Sequence, residues 1–139
     1  MRVDQVVPIL NVSDVRESFA WLDKLGWSKT FEWDAGDPGG PPGFGGVGCD
    51  GEEIFLCRDG QGSRGRGTNL ATGGPGADQR ADRGAWVSLW VDDVDAVHAH
   101  CLVEGLEVTH PPTDEPWGVR EMHVRHPDGH VLRVGRAQR

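Results

Sequence analysis

The sequence contains no tyrosine, three cysteines and two methionines, and no apolar run approaching the roughly 20 residues that a membrane-spanning helix needs. Each shortage closes off a class of protein. Cys49, Cys57 and Cys101 are odd in number and share no CxxC spacing, which argues against a disulfide framework or a structural zinc site and for a reducing compartment. Met1-Arg2-Val3-Asp4-Gln5 leads straight into a strand-like segment with no signal-peptide apolar stretch, so a cytoplasmic location is expected. Basic residues are outnumbered, 14 against 22 acidic, and the net charge of -8 disfavours nucleic acid as a partner while modestly favouring cationic ligands. A nucleophile elbow and a P-loop are also missing, and the Gly-rich runs lack the strand–helix context of a phosphate cradle.

What is present is an ordinary soluble composition over 139 residues, enough for one domain spanning 1–139 with a real core. Six Trp and four Phe stand out, because several fall where a core does not need them. The most legible stretch is the C-terminal one. From Arg120 to Arg125 the side chains alternate, Met122 and Val124 one way, Glu121, His123 and Arg125 the other. Pro127-Asp128-Gly129 supplies a turn, and the return strand alternates again with Leu132 and Val134 on the apolar side. One face should therefore pack on helices, and the other must open to water or a ligand. His126 and His130, flanking that turn, are expected to be solvated.

Earlier in the chain, a strand is expected over Gln5 to Val12, with Pro8 confining it to an edge. A helix capped by Ser13 or Asp14 should run from Val15 to Leu25, burying Val15, Phe19, Leu22 and Leu25, and end at Gly26. Strands follow at Trp27–Trp33, Phe44–Cys49 and Glu53–Arg58, the last two joined at Asp50-Gly51. Residues 59–84 are Gly/Arg-rich without apolar pattern and read as a connector, or as a flap that orders over a ligand. A strand over Ala85–Val91 then leads through Asp92-Asp93 into a helix from Val94 to Glu104, ended by Gly105. Leu106–Thr109 is a short strand that Pro111-Pro112 should break.

The two halves repeat at an offset of about 79 residues: Asn11-Val12-Ser13-Asp14-Val15 answers to Trp90-Val91-Asp92-Asp93-Val94, and Asp50-Gly51 to Asp128-Gly129. Each half, 5–58 and 85–135, is a βαβββ module. One helix cannot cover a module's sheet on both faces, so two modules should combine. The predicted fold class is α+β: a curved eight-stranded mixed sheet, helices on its outer face and a concave cavity inside.

This duplicated pattern, with the ending Trp117-Gly118-x-Arg120-Glu121 and His126-Pro127-Asp128-Gly129-His130, resembles the glyoxalase/bleomycin-resistance/extradiol-dioxygenase (vicinal oxygen chelate) superfamily, and most its bleomycin-resistance-type branch. Enzymes of that superfamily hold a divalent metal with His and Glu from four concave-face strand positions. The resemblance places those positions at Val7, Phe55, Trp86 and Arg133, none of which can ligate a metal. No metal and no cofactor are therefore expected. His98 and His100 point to different sides of their helix and offer no replacement.

The concave face should then carry Phe55, Trp86, Trp90, Glu121, His123 and Arg133, with Phe31 or Trp33, Phe44 and Trp117 at its rim in loops or strand ends. Such a composition suits a flat, partly cationic organic molecule. Trp86 and Trp90 fit a dimer interface equally well, and Glu121 with Arg133 fits a plain cross-strand ion pair. The branch it resembles implies a metal-free homodimer sequestering an aromatic antibiotic of the bleomycin type without chemical change. The competing expectation is an enzyme of the same fold, a lyase, isomerase or dioxygenase, or an acid–base catalyst using His123 and Glu121.

Overall fold

A computed structural model describes residues 1–34, 38–58 and 84–138; the connector at 59–84 lies outside these residues except for Gly84. Residues that alternate become strands, and the two capped apolar stripes become helices. β1 (Ile9–Asn11) is shorter than the alternation from Gln5 predicts. It begins just after Pro8, which has no N–H to donate and whose carbonyl accepts from Phe55 N–H at 2.9 Å. α1 (Val15–Asp23) starts where the Asp14 carboxylate accepts the Glu17 N–H, and the chain turns out of it at Gly26, φ 89°. Its buried residues are Val15, Ser18, Trp21 and Leu22; Phe19 and Leu25, expected in the stripe, are only partly buried. β2 (Ser28–Trp33), β3 (Phe44–Cys49) and β4 (Glu52–Cys57) complete the first module. Asp50 and Gly51, φ 50° and 84°, form the two-residue turn between β3 and β4.

The second module repeats this order with β5 (Trp86–Trp90), α2 (Val94–Glu104), β6 (Glu107–Glu115), β7 (Val119–Arg125) and β8 (Val131–Ala137). Asp93 caps α2 through the Ala96 N–H and Gly105 closes it in the left-handed region, φ 69°. β6 corrects the reading of Pro111-Pro112 as a break. The strand runs through both prolines, and the ladder with β7 shifts register on either side of His110 instead.

The eight strands form two hydrogen-bonded sheets of four, β1-β4-β3-β2 and β5-β8-β7-β6, each with one parallel pair at its edge. Ile9 pairs with Phe55 as Ser88 pairs with Arg133, so the repeat holds at the level of register. β1 is an edge strand, and Pro8 precedes it instead of lying within it. α1 packs on β2, β3 and β4, and α2 on β6, β7 and β8. Val15, Leu22, Ile54 and Leu56 from one module and Val94, Met122, Val124 and Leu132 from the other belong to one buried cluster.

The β7–β8 turn overturns one expectation outright. His126 and His130 are 1% and 0% exposed, and Asp128 between them is 1% exposed. The turn inserts against β1 and α1 of the first module. Asp128 accepts the Ser13 hydroxyl at 2.6 Å and the Ser13 N–H at 2.9 Å. The Asp128 N–H donates to His126 Nδ1 at 2.9 Å, so Nε2 carries that ring's proton and meets the Ser18 hydroxyl at 2.9 Å. His130 Nδ1 accepts the Ala85 N–H at 2.9 Å, and its Nε2–H donates to the Asn11 carbonyl at 2.6 Å. Both imidazoles are neutral in this arrangement. Polar residues around Gly and Pro look like surface in one dimension; here their side chains find partners in the turn itself, at Ala85 and, more than 100 residues away, at Asn11, Ser13 and Ser18.

Candidate functional site

Each sheet has one face turned from the helices. On the first, Phe31, Phe44 and Phe55 converge: Phe31 stacks on Phe44 with centroids at 5.8 Å, and Phe55 meets their edges at 5.5 and 5.6 Å. Cross-strand register explains the cluster. Phe31, Gly46 and Phe55 form one row across β2, β3 and β4, and Trp33, Phe44 and Cys57 form the next. A Cβ at Gly46 would lie 2.5 Å from the Phe31 ring, so Phe31 lies over the space that Gly46 leaves. Phe31 sits inside β2 and Phe44 and Trp33 at strand ends, not in loops. Trp33 and Ile9 are exposed on this face.

On the second sheet, β5 presents Trp86 and Trp90, 65% and 64% exposed, alternating with the partly buried Val87 and Leu89. Glu121 is 2% exposed although it lies on this open face. Arg133 Nε and Nη2 grip its carboxylate at 2.5 and 3.0 Å, the Trp117 indole N–H donates at 3.0 Å, and His123 Nε2 lies at 3.0 Å. Foremost through the Arg133 hydrogen bonds, and against its burial, the Glu121 carboxyl is lowered to about 2. Trp117, in the turn before β7, keeps most of its ring in solvent.

Sequence reasoning missed one residue here, His110. His110 stacks at 4.8 Å, tilted 37°, beside His123, and hydrogen-bonds Glu115 through Nε2 at 2.7 Å. Trp86 meets the other side of His123 edge-on at 5.0 Å. The result is a row of flat rings, Trp86–His123–His110, beside the Glu121–Arg133 pair. Ending β6 before Pro111 hid His110; the only signal for it was its offset from His123 on the neighbouring strand.

The four positions that the resemblance assigns to the superfamily's metal do not fit one. Phe55 is in the phenylalanine cluster, Trp86 is an indole, Arg133 is a cation tied to Glu121, and Val7 precedes β1. Among the described residues no group of three or more His, Cys, Asp and Glu is placed to hold a metal ion. No described helix is long and apolar enough to cross a membrane.

Residues 2–134 match the sequence model of the Glyoxalase/Bleomycin resistance protein/Dioxygenase superfamily. A search of curated proteins finds no match. Among solved structures, TioX from Micromonospora sp. ML1 is similar with TM-score 0.71 and 23% identity, over 97% of this chain and 99% of that one. A bleomycin-binding protein complexed with bleomycin is similar with TM-score 0.68 and 21% identity, over 98% of this chain and 100% of that one. The bleomycin resistance determinant encoded on transposon Tn5 gives TM-score 0.69 and 22% identity, over 99% and 100%. At these identities the likeness is one of fold.

Proposed function

The chain belongs to the Glyoxalase/Bleomycin resistance protein/Dioxygenase superfamily, and from that premise we propose that it is a stoichiometric, metal-free binding protein for an aromatic, cationic antibiotic of the bleomycin type. The observation that carries this reading is the chemistry of the two open faces. Where a superfamily enzyme needs lone-pair donors, this chain has Val7, Phe55, Trp86 and Arg133, surrounded by rings exposed to solvent. Flat ligands gain both area and quadrupole contacts on such faces, and a cation gains further over indole. The ligand-contacting residues in this reading are Phe31, Trp33, Phe44, Phe55, Trp86, Trp90, Trp117, Glu121, His123 and Arg133. Two structures of the same fold, a protein complexed with bleomycin and a resistance determinant, support the ligand class.

No strand of the first sheet lies beside a strand of the second among the described residues, so each open face is half of a groove. A second copy setting its second sheet against the first sheet of this one would complete two grooves. That supports a homodimer, working in the cytoplasm on a molecule that enters it. The enzymatic alternative, with Glu121 as a base beside His123, is disfavoured by the same geometry: a carboxylate lowered to about 2 is a weak base near neutral pH.

Elemental analysis together with a Trp-fluorescence titration with bleomycin tests the proposal. The expected result is no stoichiometric metal and saturable quenching at one ligand per chain, weakened at least tenfold by Trp86→Ala. One transition metal per chain, or turnover of the ligand, would overturn it.

A further inference from the structure

The repeat creates two equivalent module junctions, and they are not filled alike. At an offset of 79, Asn11, Val12 and Ser18 answer to Trp90, Val91 and Val97; at 78, the Asp50-Gly51 turn answers to Asp128-Gly129. The β7–β8 connection, residues 126–130, drives two imidazoles and a carboxylate into the first junction. The β3–β4 connection has only residues 50–51 and carries nothing that long. Where Ser18 meets His126, the second junction has Val97, and where the polar backbone of β1 is capped by His130, it has Trp90. A cavity of about 460 Å³ lies there.

Its walls are Leu25, Trp27, Leu89, Val91 and Val97, and the hairpin contributes Cys49, Asp50 and Glu52. Burial, and then Asp50, push the Cys49 thiol up, so it stays neutral. Asp50 has one weak contact, from the Cys49 Sγ at 3.7 Å, and neither Asp50 nor Glu52 has a basic partner among the described residues. The cavity thus combines an apolar body, two indoles and two uncompensated negative charges, within the volume range of small-ligand sites. We propose that this junction cavity binds a small organic ammonium with an aromatic body, at a site that adjoins the open face of the second sheet and shares with it the Trp90 ring. The hydrophobic part takes the volume that imidazoles occupy at the other junction, and the ammonium sits between the hairpin carboxylates and the Trp90 ring.

Calorimetry with 2-(1-naphthyl)ethylammonium and its neutral analogue 2-(1-naphthyl)ethanol tests this on the intact protein. Wild type should bind the ammonium saturably at one per chain and at least tenfold more tightly than the alcohol. Asp50→Asn with Glu52→Gln, both on the exposed hairpin, should remove that preference while leaving bleomycin quenching unchanged. Val97→Phe should fill the cavity and abolish binding of both probes. Absence of saturable binding by wild type, equal affinity for the two probes, or binding that survives Val97→Phe would overturn the proposal. So would a bleomycin titration that weakens together with ammonium binding in the hairpin variant.

Discussion

At the scale of single residues, Glu121 and Gly46 carry the open faces. Glu121 is buried with four donor contacts, and Glu121→Gln would leave Arg133 without its paired carboxylate. Urea denaturation should show a loss of about 2 kcal/mol near neutral pH. The folded carboxyl at about 2 lies below its ordinary 4.5, so its stabilisation is complete above 4.5 and is lost as the pH falls toward 2. The gap between wild type and Glu121→Gln should therefore close across that window; a gap that stays constant would mean that charge is not its origin. Gly46→Ala places a methyl group 2.5 Å from the Phe31 ring. It should cost about 1–3 kcal/mol and reduce the near-ultraviolet circular dichroism of the aromatic cluster.

At the scale of elements, the β7–β8 turn acts as the clasp between modules. His126→Ala removes the partner of the Ser18 hydroxyl and of the Asp128 N–H and opens a cavity beside Trp21, which meets the ring edge-on at 5.1 Å. Chemical denaturation should report a loss of about 2–4 kcal/mol. Burial holds the His130 imidazole below its ordinary 6.5, against the opposing pull of the Asn11 carbonyl and Asp128. The unfolded chain then takes up a proton near 6.5 that the folded chain refuses. This contribution is whole above 6.5 and weakens as the pH drops below it. Wild type should lose stability more steeply than His130→Gln between about pH 7 and about pH 5; parallel curves would assign the acid sensitivity elsewhere. β6 teaches the complementary lesson. Two prolines lack N–H donors, but a ladder that shifts register around them keeps the strand and delivers His110 to His123.

At the scale of the whole molecule, Trp33, Trp86, Trp90, Trp117 and Ile9 lie exposed on two faces of a single chain. That much exposed apolar surface marks an interaction site. Sedimentation should find a dimer at micromolar concentration, and Trp86→Glu with Trp90→Glu should shift it to monomer with the far-ultraviolet spectrum intact. A monomeric wild type would remove the second half of each proposed groove.

Local pattern alone determined much of this protein. α2 and β3 carry the boundaries read from their sequence, the repeat offset reappears as matching strand register, and Ile54, Leu56, Met122 and Val124 are buried as alternation requires. Those features depend on neighbours two to four residues apart, which the sequence displays directly. Alternation also put Glu121, His123 and Arg133 on one face, but only the fold joined them to Trp117 and His110. The tertiary structure alone decided the fate of His126, Asp128 and His130. Their partners Ser18, Ser13 and Asn11 stand 108 to 119 residues away, so no local period distinguishes a solvated turn from a buried clasp. The same holds for the cavity at the opposite junction, which exists because one hairpin is three residues shorter than its counterpart, 50–51 against 126–130.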